Sequence, residues 1–132
     1  MYWLFQETWN IIHRYITDVN FTWFSGWINY TNPRFNRYVV GSEMRPHCDH
    51  IRSIFDGERK GIPTLTVLTA LNDDYTGGEL MFFEDQEYKL EAGDVIVFPS
   101  NFLYPHQVNT VTDGTRFSCV NWDLLSVEWW FT

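Results

Sequence analysis

Apolar side chains recur at two periods along this chain, and the change from one to the other divides it. From Phe5 to Ile16 the residues Phe5, Trp9, Ile12 and Ile16 fall at steps of three and four, the spacing of one buried helical stripe. This predicts a short N-terminal helix packed on a sheet. His13 lies beside the stripe and reads as a core-edge or surface residue. Phe21 to Asn32 is rich in aromatics and Thr, as strands are, and Asn32-Pro33 marks a turn. From Phe35 the period shortens, and strand patterns follow one another.

Arg37 to Gly41 is strand-like, and Arg45 to His50 reads as the next strand. Thr64 to Leu71 is β-branched and apolar throughout, which suits a strand covered on both faces. Glu79 to Phe83 and Glu87 to Leu90 flank an acidic turn, Val95 to Phe98 ends at Pro99, and His106 to Val111 and Thr115 to Trp122 supply the last pair. Many short strands with regular turn signals predict a mainly β fold, best fitted by a double-sheet jelly roll. The polar connection Ile51 to Pro63, with Arg52, Asp56-Gly57 and Arg59, is a lid candidate or a solvated loop. The aromatic tail Trp129-Trp130-Phe131 suits a substrate contact, packing on the sheet or a dimer seam.

Length and charge narrow the picture. At 132 residues and 45% hydrophobic content, the chain suits a single domain spanning residues 1–132. Within it, 1–33 forms a supporting helix and strand, 34–124 the jelly-roll core and 125–132 the aromatic tail. Nine Lys and Arg against seventeen Asp and Glu give a net charge of -8, which opposes the phosphate attraction behind most nucleic-acid binding. No nucleic-acid partner is expected. Two cysteines, Cys48 and Cys119, show no disulfide-framework spacing and are expected as thiols in a reducing compartment. The N-terminal residues lack a signal-peptide pattern, and no apolar run reaches the roughly eighteen residues of a membrane span. A soluble, cytoplasmic protein with no membrane partner is therefore expected; the sequence leaves its oligomeric state open.

The candidate chemistry lies in Arg45-Pro46-His47-Cys48-Asp49-His50. In a strand, residues i and i+2 share a face, so His47 and Asp49 can bind one metal ion while Cys48 faces away. His106 offers a third ligand, completing two imidazoles and one carboxylate, the set that leaves open positions on non-haem Fe(II). The same ligands accept other divalent ions, so iron is not selected by ligand type. Arg116 and Ser118 share a face of the last strand, where a permanently charged planar fork and a hydroxyl suit a carboxylate. A dicarboxylate held there at its far end could chelate the metal with its near end. His50, Cys48 and Asp94 read as a rim residue, an outward-facing strand residue and part of a turn.

Taken together, Tyr38-x-x-Gly41, His47-x-Asp49, Thr66 through Leu71-Asn72, Gly77-Gly78-Glu79, Gly93-Asp94 with Val95 to Phe98, His106, Arg116 and Trp122 resemble the catalytic core of Fe(II)- and 2-oxoglutarate-dependent oxygenases, in particular the prolyl 4-hydroxylase-like branch. The resemblance implies a double-stranded β-helix, with Fe(II) on His47, Asp49 and His106. Arg116 would pair the 5-carboxylate of 2-oxoglutarate, and Ser118, Tyr38 and Thr66 would lie at that cosubstrate. Arg52 and Arg59 would be substrate or lid candidates. It also implies a dioxygenase that consumes O2, releases succinate and CO2, and hydroxylates a C–H bond, with no side-chain base beyond the metal ligands. Asp49 favours hydroxylation, since family halogenases carry a small residue at that position.

Two departures stand out. Ala70 occupies the position where relatives often place a cosubstrate-binding Tyr, and Ser118 resembles the Arg-x-Ser arrangement of other branches. Arg116 replaces the Lys of collagen-type relatives, which points away from a collagen-like substrate. A prolyl residue in a peptide or protein is the leading substrate expectation, with a free amino acid or other small molecule as the alternative. A non-catalytic jelly-roll binding module would not explain His47, Asp49, His106 and Arg116 together. A cupin-type metal enzyme would use more His and would not require the Arg.

Overall fold

The computed structural model describes residues 2–20, 22, 24, 26–49, 55–56 and 60–125. One helix, α1 (Tyr2–Val19), precedes twelve described strands: β1 (Asn29–Tyr30), β2 (Arg34–Tyr38), β3 (Met44–His47), β4 (Phe55–Asp56), β5 (Lys60–Ala70), β6 (Thr76–Gly77), β7 (Leu80–Phe82), β8 (Gln86–Tyr88), β9 (Val95–Pro99), β10 (His106–Val108), β11 (Val111–Asp113) and β12 (Arg116–Leu125). The long central strands β5 and β12 pair antiparallel; β1 and β2 line the far edge of β12, and β9 and β4 pair with β5. A second antiparallel sheet runs β3-β10-β7-β8, and β6 pairs with β11.

Side chains of β5 sort by parity, as alternation in a strand requires. Leu68 and Ala70 enter a cluster with Phe98 of the same sheet and Leu80, Phe82 and Val108 of the facing sheet. Leu65 and Val67 point the other way and pack with Ile12 of α1, flanked by Tyr15, Ile16, Phe24 and Trp27. Both faces of β5 are covered, which explains its continuous apolar run. The two facing sheets make the expected jelly roll, and α1 buttresses its outer face.

Several boundaries differ from expectation. The helix runs from Tyr2 to Val19 rather than Phe5 to Ile16, and within the stripe Ile12 is fully buried while Trp9 lies at the edge against the Trp27 ring, 4.9 Å away. Among the described residues of the Phe21 to Asn32 segment, only Asn29 and Tyr30 form strand pairs, opposite Leu124 and Asp123 of β12. Phe24 and Trp27 serve packing under α1 instead, so aromatic content there reports burial and not pairing. The His106 to Val111 stretch divides into β10 and β11, because Asn109 N–H bonds the Glu79 carbonyl and Gly78 N–H bonds Thr110. Arg52, Arg59, His50 and the aromatic tail lie outside the described residues.

Candidate metal centre

β3 ends on His47 and β10 begins on His106, and the antiparallel register sets these two residues directly opposite each other. Their rings lie 4.4 Å apart. Asp49 stands two residues past His47, beyond the end of its strand. Its Oδ1 is 3.4 Å from His47 Nε2 and 3.6 Å from His106 Nε2. The three ligand atoms all lie within 4.8 Å of one another.

The other ring nitrogen of each histidine settles which atom faces inward. His47 Nδ1 is 2.8 Å from the Arg45 carbonyl and His106 Nδ1 is 3.0 Å from the Tyr104 carbonyl. A carbonyl only accepts, so each Nδ1 carries the proton and each neutral ring aims its Nε2 lone pair at the cavity. In that neutral form two lone pairs and a carboxylate oxygen converge without a donor among them, whereas a proton on His47 Nε2 would donate to Asp49 and relieve the set in place of a metal. The unprotonated set is mutually repulsive until a cation sits in it, and the residues fit a divalent metal on that ground.

The protonation balance agrees. Burial by itself would raise the Asp49 pKa, but hydrogen bonds from His47 and Thr66, the field of His106 and a bond from Trp122 outweigh it and hold the carboxyl below its usual range. The hydrogen bond to Asp49 raises His47 above the usual imidazole value, against desolvation, so a proton and a metal compete for Nε2. Burial lowers His106, which keeps that ring neutral and available as a ligand.

Asp49 is oriented from behind. Its Oδ2 accepts from Thr66 Oγ1 at 2.8 Å and Trp122 Nε1 at 3.1 Å, leaving Oδ1 for the metal side. Because the Thr66 hydroxyl gives its proton to the carboxylate, the 2.7 Å contact between Thr66 and Ser100 has Ser100 donating. Outer partners of this kind fix ligand geometry.

Arg116, the first residue of β12, is only 2% exposed. Its guanidinium carbon lies 5.2 Å from the centre of the Tyr38 ring, Nη1 donates to Ser118 Oγ at 3.1 Å, and buried Nε has no partner. None of the ion pairs among the described residues includes it. A buried, uncompensated cation is costly, and the arrangement fits an anion such as a carboxylate. Gly78, just before β7, makes room for it. Gly78 has φ +67°, and a Cβ there would stand 3.1 Å from Arg116 Cδ; a Cβ on Gly77 would collide with the Thr110 carbonyl.

The structure therefore brings together His47, Asp49, His106, Tyr38 and Thr66, which line one cavity with Trp122, whereas Arg116 and Ser118 are not part of that lining and reach it only through Tyr38, against whose ring the guanidinium stacks. Ser118 sits directly opposite Ala70, so the hydroxyl and the position that lacks a Tyr are cross-strand neighbours. Sequence reasoning missed the grip of Trp122 and Ser100 on the Asp49 network, and missed Asn36 and Arg34 as cavity residues. Parity was the available signal: residues 116, 118, 120 and 122 share a face, as do 34, 36 and 38. A larger cavity of about 540 Å³ lies between α1 and the β9–β10 connection; among the described residues its lining carries no set of metal-ligating side chains comparable to that of the smaller one.

Two imidazoles and one carboxylate converging inside a two-sheet β-helix are the ligand set that non-haem Fe(II) oxygenases use. The chain belongs to the 2OG-Fe(II) oxygenase superfamily, whose sequence profile matches residues 33–123. It is similar to a PKHD-type hydroxylase of Stenotrophomonas maltophilia (strain R551-3), 38% identical over 100 residues, covering 72% of this chain and 44% of that protein. A PKHD-type hydroxylase of Delftia acidovorans is 41% identical over 97 residues, covering 68% and 42%. The chain thus spans less than half the length of these relatives. In fold it resembles a Pseudomonas putida prolyl-4-hydroxylase (TM-score 0.68, 23% identity, covering 91% of this chain and 64% of that one) and the viral collagen prolyl hydroxylase of Paramecium Bursaria Chlorella virus-1 (0.75, 16%, 92% and 73%).

Proposed function

We propose that this protein is an Fe(II)- and 2-oxoglutarate-dependent dioxygenase that hydroxylates a C–H bond, with a prolyl residue in a peptide or protein as the leading substrate. The carrying observation is the convergence of His47, Asp49 and His106 within reach of one ion, in a cavity whose Tyr38 wall is stacked against a buried Arg116 that has no acidic partner among the described residues. Metal and cosubstrate together supply the oxidising chemistry. The chain's own residues hold and orient. His47 Nε2, His106 Nε2 and Asp49 Oδ1 would hold the ion, and Thr66 and Trp122 keep the second carboxylate oxygen turned away from it. Arg116 and Ser118 would take the distal carboxylate of 2-oxoglutarate, with Tyr38 packed against the guanidinium.

The substrate assignment draws support from the hydroxylase relatives and the prolyl hydroxylase neighbours. We read residues 1–132 as one oxygenase domain, and the two free thiols, Cys48 and Cys119, support action in a reducing, cytoplasmic compartment. Among the described residues no helix is long and apolar enough to cross a membrane. Anaerobic titration tests the core of this reading: Fe(II) and 2-oxoglutarate together should produce a metal-to-ligand charge-transfer band that neither produces by itself. Its absence would reduce the molecule to a metal-binding scaffold. Peptides and free amino acids screened for substrate-stimulated succinate formation then test the substrate class.

A further inference from the structure

A second guanidinium lies on the same sheet face as Arg116, and the chemistry above does not use it. β2 pairs with β12 so that Tyr38 opposes Arg116, Asn36 opposes Ser118 and Arg34 opposes Val120. By alternation Arg34, Asn36 and Tyr38 share one face, and all three line the cavity of His47, Asp49 and His106. Tyr38 is buried, Asn36 half-buried and Arg34 exposed, so the strand climbs from the floor of the cavity to its mouth. Four residues of antiparallel strand span about 13 Å, which separates the positions of the two arginines by roughly the length of a small substrate.

Arg34 shares with Arg37 and Arg116 the lack of an ion pair among the described residues, but Arg37 falls on the opposite face of β2 by alternation and does not line the cavity. Arg14 and Arg45 lie against Asp18 and Glu43, whereas no ion pair among the described residues includes Arg34. In a chain of net charge -8, a cation at the cavity mouth is an island of positive potential that attracts anions. Its field reaches inward, where with that of Arg116 it acts on the Tyr38 hydroxyl against the effect of burial.

We propose that Arg34 is the residue that selects the primary substrate, and that this substrate carries a carboxylate a few bonds from the carbon that is oxidised. The proposal rests on the oxygenase reading. Arg116 is enclosed and serves a ligand already inside; Arg34 faces solvent and serves one that arrives at the mouth. A planar fork matches a carboxylate bidentately, which fixes the angle at which the rest of the molecule enters. Asn36, between the two arginines, adds a neutral amide donor and acceptor along the path.

Two matched pairs of probes test this and separate a small acid from an acidic peptide: N-acetylproline against N-acetylprolinamide, and Ac-Ala-Pro-Glu-amide against Ac-Ala-Pro-Gln-amide. Calorimetric binding is measured on full-length protein loaded with Mn(II) and 2-oxoglutarate without oxygen, and succinate formation on the Fe(II) protein in air. In at least one pair the acid should bind about ten- to hundredfold tighter than its amide, the range for a hydrogen bond to a charged group. Arg34→Gln should abolish that ratio, and Arg34→Lys should retain part of it. No acid preference in either pair, or a preference that survives Arg34→Gln, overturns the proposal. So does an Arg34→Gln protein that loses 2-oxoglutarate affinity as severely as Arg116→Ala, since that places Arg34 at the cosubstrate. A wild-type protein without the charge-transfer band overturns the oxygenase reading itself, whereas the band with no acid preference overturns the role of Arg34 alone.

Discussion

The indole N–H of Trp122 donates to Asp49 Oδ2 across 3.1 Å, joining residues 73 positions apart in the chain. Thr66 donates to the same oxygen. The proposed carboxylate ligand therefore has one oxygen fixed by the large sheet and the other free to face the two histidines.

Trp122→Phe keeps the ring and removes the donor. Metal affinity should fall about 10- to 100-fold, the usual cost of losing an outer partner of a ligand, while the fold persists. Titration of Fe(II) or Mn(II) checks this, and unchanged affinity would show that Thr66 suffices to orient Asp49.

Arg116→Ala removes a buried cation that lacks an acidic partner among the described residues. Its loss should raise the 2-oxoglutarate requirement by roughly two orders of magnitude, since truncating a buried charged partner typically costs 2–5 kcal/mol. Metal binding should persist. The ligand-free variant should melt close to the parent, because relief of the uncompensated buried charge offsets the cavity and the lost contacts to Tyr38 and Ser118. Cosubstrate titration and thermal melting separate these effects.

Gly78→Ala tests the close approach to the arginine stem. The residue has φ +67°, and a Cβ would press on Val111 Cγ2 at 3.0 Å and Arg116 Cδ at 3.1 Å. We expect a loss of at least about 1 kcal/mol in stability from the left-handed backbone, together with weaker 2-oxoglutarate binding as the guanidinium shifts. Lost stability with cosubstrate affinity intact would confine Gly78 to a backbone role.

Asp123 is fully buried on the helix side of β12. Burial raises its pKa from 3.8 to about 6, although Thr64 Oγ1 and Leu65 N–H both donate to its Oδ1. The folded chain keeps this proton up to about pH 6, while the unfolded chain releases it near pH 4. Folding is thus favoured most below pH 4, loses stability as pH rises toward 6 and carries the whole cost above that. Asp123→Asn retains an acceptor for both donors and removes the charge. It should raise stability at pH 8 by on the order of 2 kcal/mol and leave it nearly unchanged at pH 4. Denaturant melts at the two pH values check the sign.

The sequence by itself determined a good deal. Alternating apolar runs specified strands and sheet faces, the three- and four-residue spacing of Trp9, Ile12 and Ile16 specified a helix, and His47-x-Asp49, His106 and Arg116 named the proposed chemistry in order. These features are local or carried by residue type. Tertiary structure decided what depends on register: His47 opposite His106, Ser118 opposite Ala70 and Arg34 on the face of Arg116. It also decided that Trp122, Thr66 and Ser100 serve Asp49. Strand pairing brings together residues tens of positions apart, and a one-residue slip would turn every one of those side chains to the opposite face. No local pattern carries that information, because register is fixed by the packing of both sheets together.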